Sequence, residues 1–111
     1  MKEIVEYMSL NEVIFKKLKE IKPKDIGSRK KIQIYLGVNL KGYYCLIITI
    51  SKKSRILRKE VLELIELHKR VEKYNDSKIN TKYIIIQAPL CSHAKEMLKE
   101  NGWRVLIKDI K

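Results

Sequence analysis

The sequence predicts an α/β fold, α-β-β-α-β-α-β, with a four-stranded mixed sheet and helices on both faces. Three observations carry this. Two apolar runs meet at the turn 39–42 (NLKG), as in a β-hairpin. Two later apolar runs, at 81–89 and 103–108, each follow an amphipathic helical stretch. Strands joined through helices run parallel, with right-handed crossovers. The whole chain, 1–111, is expected to form a single domain, long enough for one core without staples.

The first element is read from SLNEVIFKKLKEIKPKD. Ser9 and Glu12 have capping-box spacing. Leu10, Val13, Ile14, Leu18 and Ile21 recur at helical intervals, and Pro23 ends the predicted helix. In the first strand, 31–38, Ile32, Ile34, Leu36 and Val38 alternate with Gln33 and Tyr35. This strand, KIQIYLGV, is the candidate sheet edge, through which a homodimer would pair. The second strand, 43–50, is apolar on both faces and so is expected inside the sheet.

The clearest helix is RILRKEVLELIELHKRVEKY. Leu57, Val61, Leu64, Ile65, His68 and Val71 form its apolar face, with Glu63, Glu66, Arg70 and Lys73 largely opposite. His68 on that face is expected to be a packed, hydrogen-bonded histidine rather than a ligand. NDSKIN is a loop. TKYIIIQAP is a short, fully apolar strand, as in a parallel sheet. In CSHAKEMLKENG, Cys91 or Ser92 caps a helix that buries Ala94, Met97 and Leu98 and stops at Gly102. WRVLIK is the last strand.

Composition narrows the function classes. Apolar residues are 45%, which argues against disorder. No apolar run approaches the roughly 20 residues of a membrane helix, and the N-terminal stretch lacks a signal-peptide core. A cytoplasmic protein with no membrane association is expected. Abundant Lys and Glu fit a thermophilic source. Cys45 and Cys91 make no metal or redox motif. Cys45 lies mid-strand, as a buried structural thiol does. Cys91 lies just before a helix, a place that lowers a thiol pKa.

Net charge is +12, and it is concentrated. Residues 26–59 hold nine basic side chains and no acidic one. Clustered cations attract polyanions and release counterions on binding nucleic acid. The candidate nucleic-acid-binding residues are Lys30, Lys31, Lys41, Lys52, Lys53, Arg55, Arg58 and Lys59. DNA or RNA is the expected partner, with Tyr35 and Tyr43 as candidate stacking platforms.

The element order, together with KYIIIQAPLCSHAKEMLKENGWRVLI, resembles the core of the PD-(D/E)XK nuclease superfamily. That superfamily includes restriction endonucleases and archaeal Holliday-junction resolvases, and the resemblance implies an archaeal source. It runs from about Ser9 to Lys108. It implies a hairpin Asp and the Glu of a Glu-x-Lys motif holding a divalent metal, with the Lys positioning the attacking water. A first-helix acid sometimes joins them. Here the span between Asp25 and Glu60 contains no Asp or Glu. The family's Glu falls near Thr49 or Ser51, and its Lys at Ser51 or Lys53, or at Lys52 after a one-residue shift. Its hairpin Asp has no match among Gln33, Tyr35, Leu36 or Asn39, and Glu12 alone stands for the first-helix acid.

The resemblance therefore implies a nuclease-like domain without its metal site. It would be non-catalytic, need no cofactor, and bind nucleic acid through the basic segment. The alternatives are a structural or regulatory subunit acting through protein contacts, and a divergent metal-dependent nuclease using Glu12, Glu60 and Glu63. No phosphate-binding glycine loop and no nucleophile–histidine–acid pattern is readable. His68 and His93 fall on different predicted helices.

Overall fold

The structure, a computed structural model, describes residues 15–22, 24, 32–51, 53–79 and 81–107. The elements are β1 (Phe15–Ile21), β2 (Gln33–Asn39), β3 (Tyr44–Ser51), α1 (Arg58–Asn75), β4 (Thr81–Gln87), α2 (Ser92–Glu100) and β5 (Trp103–Ile107). Among the described residues they form one five-stranded sheet in sequence order. Strands β1, β2 and β3 pair antiparallel, and β3, β4 and β5 pair parallel. The α/β class and the mixed sheet agree with the sequence reading. The count of four strands does not: the fifth strand is β1.

Residues 15–21 were expected to be helical. They are the edge strand β1, antiparallel to β2. The reason lies in a register shift between Phe15 and Lys17. An extra residue there changes the phase of the alternation. Phe15 and Leu18, three apart, therefore pack on the same sheet face. Ile21 packs on the opposite face. Apolar residues at 15, 18 and 21 thus reproduce a helical interval within a strand. Residues 1–14 and Pro23, which carry the capping box and the stop, lie outside the described residues.

The strand KIQIYLGV is corrected as well. As β2 it lies between β1 and β3, so its backbone is paired on both sides and offers no edge to a second copy. Tyr35, read as the polar side of the alternation, is buried in the sheet. β3 is interior and buried on both faces, as expected.

Helices were expected on both faces. Both described helices cover one face; residues 1–14, where most of the first helix was expected, lie outside the described residues. Val61, Leu64, Leu67 and Val71 of α1, and Ala94 and Leu98 of α2, share one cluster with Ile34, Leu36, Leu46, Ile48, Ile84 and Ile86. A fully buried Leu or Ile contributes about 1.5–3 kcal/mol of hydrophobic stabilisation, so this layer dominates the core. The opposite face carries a smaller cluster of Tyr35, Cys45, Ile47, Tyr83 and Ile85.

His68 behaves as the apolar pattern predicts. It is half-buried, with Nε2 2.6 Å from the Ile79 carbonyl oxygen and its ring edge-on to Trp103. Glu72 Oε2 accepts from the Ile79 backbone N–H at 2.8 Å. The two side chains satisfy both backbone groups of Ile79 and so fix the turn from α1 into β4. No helix among the described residues is long and apolar enough to cross a membrane.

Candidate nucleic-acid interface

The candidate site lies where β2 begins and β3 and β4 end. Alternation puts Gln33, Thr49, Ser51 and Gln87 on the face opposite α1 and α2, continuing the rows of Tyr35, Ile47 and Ile85. Gln33 is the direct partner of Thr49, and Ser51 of Gln87. The Thr49 hydroxyl donates to Gln33 Oε1 at 3.0 Å. These four polar side chains close the apolar sheet at one end.

Gln33, one of the positions that offer no acid for the family's hairpin Asp, sits directly opposite Thr49. The loop is closed between Asn39 and Tyr43, one residue longer than the turn 39–42 implies, and this sets the register. The hairpin pairs Val38 with Tyr44 across 39–43, and stepping away from the turn along both strands brings Gln33 to Thr49.

A hard divalent cation is held by carboxylate oxygens. The side chains here are two amides and two hydroxyls, all neutral, so this donor set does not fit such a metal. Among the described residues, no group of three or more His, Cys, Asp or Glu is placed to hold one. Glu20 of β1 stands opposite Tyr35 and so shares this face. Glu60 and Glu63 lie on α1, which covers the other face, and both are half-buried rather than solvent-facing. Glu12 lies outside the described residues.

The basic residues divide between two places. Lys53, Arg55, Arg58 and Lys59 are exposed and gather at the end of β3 and the start of α1. Their loop is anchored by Ile56, which is fully buried and bridges to Leu90. Its N–H donates to the Pro89 carbonyl at 2.9 Å, and its carbonyl accepts from the Cys91 N–H at 3.3 Å. Lys41, in the turn between β2 and β3, lies at the opposite end of β3. At about 3.3 Å per residue, β3 separates it from the others by roughly 23 Å. Lys30, Lys31 and Lys52 lie outside the described residues. Tyr35 is buried and offers no stacking face, whereas Tyr43 is exposed.

The Ile56 anchor also brings Arg55 and Arg58 near Cys91, the N-cap of α2. The backbone N–H groups of Ala94 and then His93 face the thiol without closing a regular capping bond. Together with Arg55 and Arg58 they hold its pKa below the ordinary thiol value, against a raising effect of burial. Cys45 is the reverse case: burial pushes its thiol up. Both cysteines are free. The thiolate is the reactive form. With limiting iodoacetamide at neutral pH, Cys91 is therefore expected to alkylate at least about tenfold faster than Cys45. Mass spectrometry of the modified peptides checks this, and equal labelling of the folded protein would contradict the geometry.

The chain matches no protein-family model and no curated protein. Solved structures do resemble it. The apo form of EndoMS aligns with a TM-score of 0.62 at 18% identity, over 99% of this chain and 46% of that one. A repair endonuclease from Pyrococcus abyssi gives 0.59 at 15% identity, over 97% and 44%. An EndoMS–dsDNA complex gives 0.55 at 16% identity, over 97% and 44%. This chain spans less than half the length of those proteins. At identities of 15–18% the likeness shows that this chain shares the fold of these endonuclease structures.

Proposed function

We propose that this chain is a nuclease-fold domain that binds nucleic acid without cutting it. The observation that carries the reading is the Gln33–Thr49 pair. Two neutral side chains, hydrogen-bonded to each other, stand where the fold would need carboxylates. After the end of β3, Lys53, Arg55, Arg58 and Lys59 are exposed, with no carboxylate in the segment 32–51 or 53–59. Among the described residues the cations are present and no cluster of groups that could hold a metal is. The EndoMS–dsDNA complex on the same fold supports a double-stranded partner for this surface.

Phosphate contacts make such binding steep in salt and tolerant of sequence. Fluorescence anisotropy with a labelled DNA duplex at two salt concentrations tests the reading. Micromolar or tighter binding at low salt, weakening sharply at the higher salt, is the expected result. Absence of binding at low salt would leave the basic loop a solvated surface and overturn the proposal.

A further inference from the structure

The opposite end of the sheet has its own chemistry. The turn 39–42 is tightly built. Asn39 Oδ1 accepts from the backbone N–H groups of Lys41 and Tyr43 at 3.0 and 2.9 Å. Gly42 takes a positive φ of 89°, which a side chain there would resist. The turn therefore holds its flanking side chains in fixed positions. Among them, Tyr43 is 66% exposed and Tyr44 38%. Tyr74, near the end of α1, is 52% exposed.

Two hollows meet at Tyr44. One, of about 640 Å³, is lined by Lys16, Lys17 and Lys19 of the edge strand, with Val38, Tyr44 and Asn75 among the rest. The other, of about 270 Å³, is lined by Gly42, Tyr43, Tyr44, Lys78 and Thr81. Four lysines line the pair, and no carboxylate lines either. Asp76, next to Asn75, caps α1 and lines neither.

Lysines on an edge strand are explained by themselves: they discourage pairing with another sheet. Exposed tyrosines beside them are not. Aromatic rings expose apolar area that sheet packing would otherwise bury. A duplex keeps its bases stacked inside and offers such rings nothing. An unpaired strand offers both base faces and phosphates, the two partners that exposed rings and lysines take.

We propose that this end of the sheet is a second nucleic-acid contact, separate from the basic loop, and that it takes an extended single strand. Tyr43 and Tyr44 stack on bases, while Lys16, Lys17, Lys19 and Lys78 pair with phosphates. This rests on the nucleic-acid-binding reading above and adds to it a distinct place and a distinct strand state. A chain with both contacts holds a duplex at one end of β3 and an unpaired strand at the other, as at a junction between the two.

The test compares a labelled single strand of about 15 nucleotides with a labelled duplex, using the full chain. Tyr43→Ala/Tyr44→Ala is expected to weaken single-strand binding at least about tenfold and duplex binding less than about twofold. Lys16→Gln/Lys17→Gln/Lys19→Gln leaves the rings in place and is expected to lower the single-strand salt slope by about 2. Retained circular dichroism and thermal midpoint establish that each variant is folded. If the unaltered protein binds the single strand and both folded variants bind it equally well, the second contact is wrong and the basic loop stands. If the unaltered protein binds neither probe, both proposals fall together.

Discussion

Replacing Lys53, Arg55, Arg58 and Lys59 together with glutamine is expected to weaken duplex DNA binding by about 10² at moderate salt. Each phosphate contact contributes about 0.9 to the logarithmic salt slope, so losing four lowers that slope by about 3–4. A fourfold rise in salt would then cost the variant about a hundredfold less affinity than it costs the original. All four side chains are exposed, and surface substitutions of this kind change stability within about 0.5 kcal/mol. The loop backbone is held by Ile56 and its bonds to Pro89 and Cys91, none of which the variant touches. Loss of affinity would therefore report lost charge rather than lost structure. An unchanged slope in a folded variant would move the interface away from this loop. Anisotropy titrations across a salt series give both affinity and slope.

The second large effect comes from restoring acids. Gln33→Asp/Thr49→Glu places two carboxylates at directly paired positions on adjacent strands. Opposed like charges on a sheet repel, so the variant without metal is expected to melt below the original. A divalent cation bound between them removes the repulsion. At about a hundredfold excess over its Kd, such an ion stabilises the folded state by about 2.7 kcal/mol. For a chain of this size that raises Tm by about 10 °C. Thermal melts with and without Mn²⁺ are the measurement. The variant's midpoint should rise with Mn²⁺ while the original's stays in place. A variant indifferent to Mn²⁺ would mean that the two positions do not converge on a site, and that their likeness to a metal centre is one of topology only.

The elements that the sequence made legible are those whose local and global demands agree. α1 has an apolar face of Val61, Leu64 and Val71, a charged opposite face and a clear end at Asp76, in the left-handed conformation. β3 and β4 are continuous apolar runs because both of their faces are covered, and burial on two sides leaves no polar alternation to misread. Gly102, with positive φ, closes α2 as expected. β1 was illegible for a physical reason. A register shift at its start brought Phe15 and Leu18 to one face, and the lysines between them favour helices as readily as they guard sheet edges. Once that strand was lost, so were the identity of the sheet edge and the position of Glu20.

The candidate site was legible in its chemistry and not in its geometry. The absence of acids between Asp25 and Glu60 is a statement about sequence and needs no coordinates. The concentration of cations in residues 26–59 is equally plain, but whether they share one face depends on the course of the strands. β3 runs through the middle of that segment and carries Lys41 and Arg55 to opposite ends of the sheet. Exposure of Tyr43 and burial of Tyr35 follow from the same register, which places Tyr35 against Ile47 in the sheet interior and Tyr43 in the turn.

Incubating a labelled duplex and a labelled single strand with the protein at low salt, with and without Mg²⁺ or Mn²⁺, tests the central claim most directly. Retention and strand length are read from the same samples. A nuclease-fold domain that binds without cutting retains the nucleic acid and leaves every strand at full length, with metal present or removed. Metal-dependent fragments that disappear on chelation, and that scale with this protein rather than with a contaminant, would contradict it and restore an active nuclease.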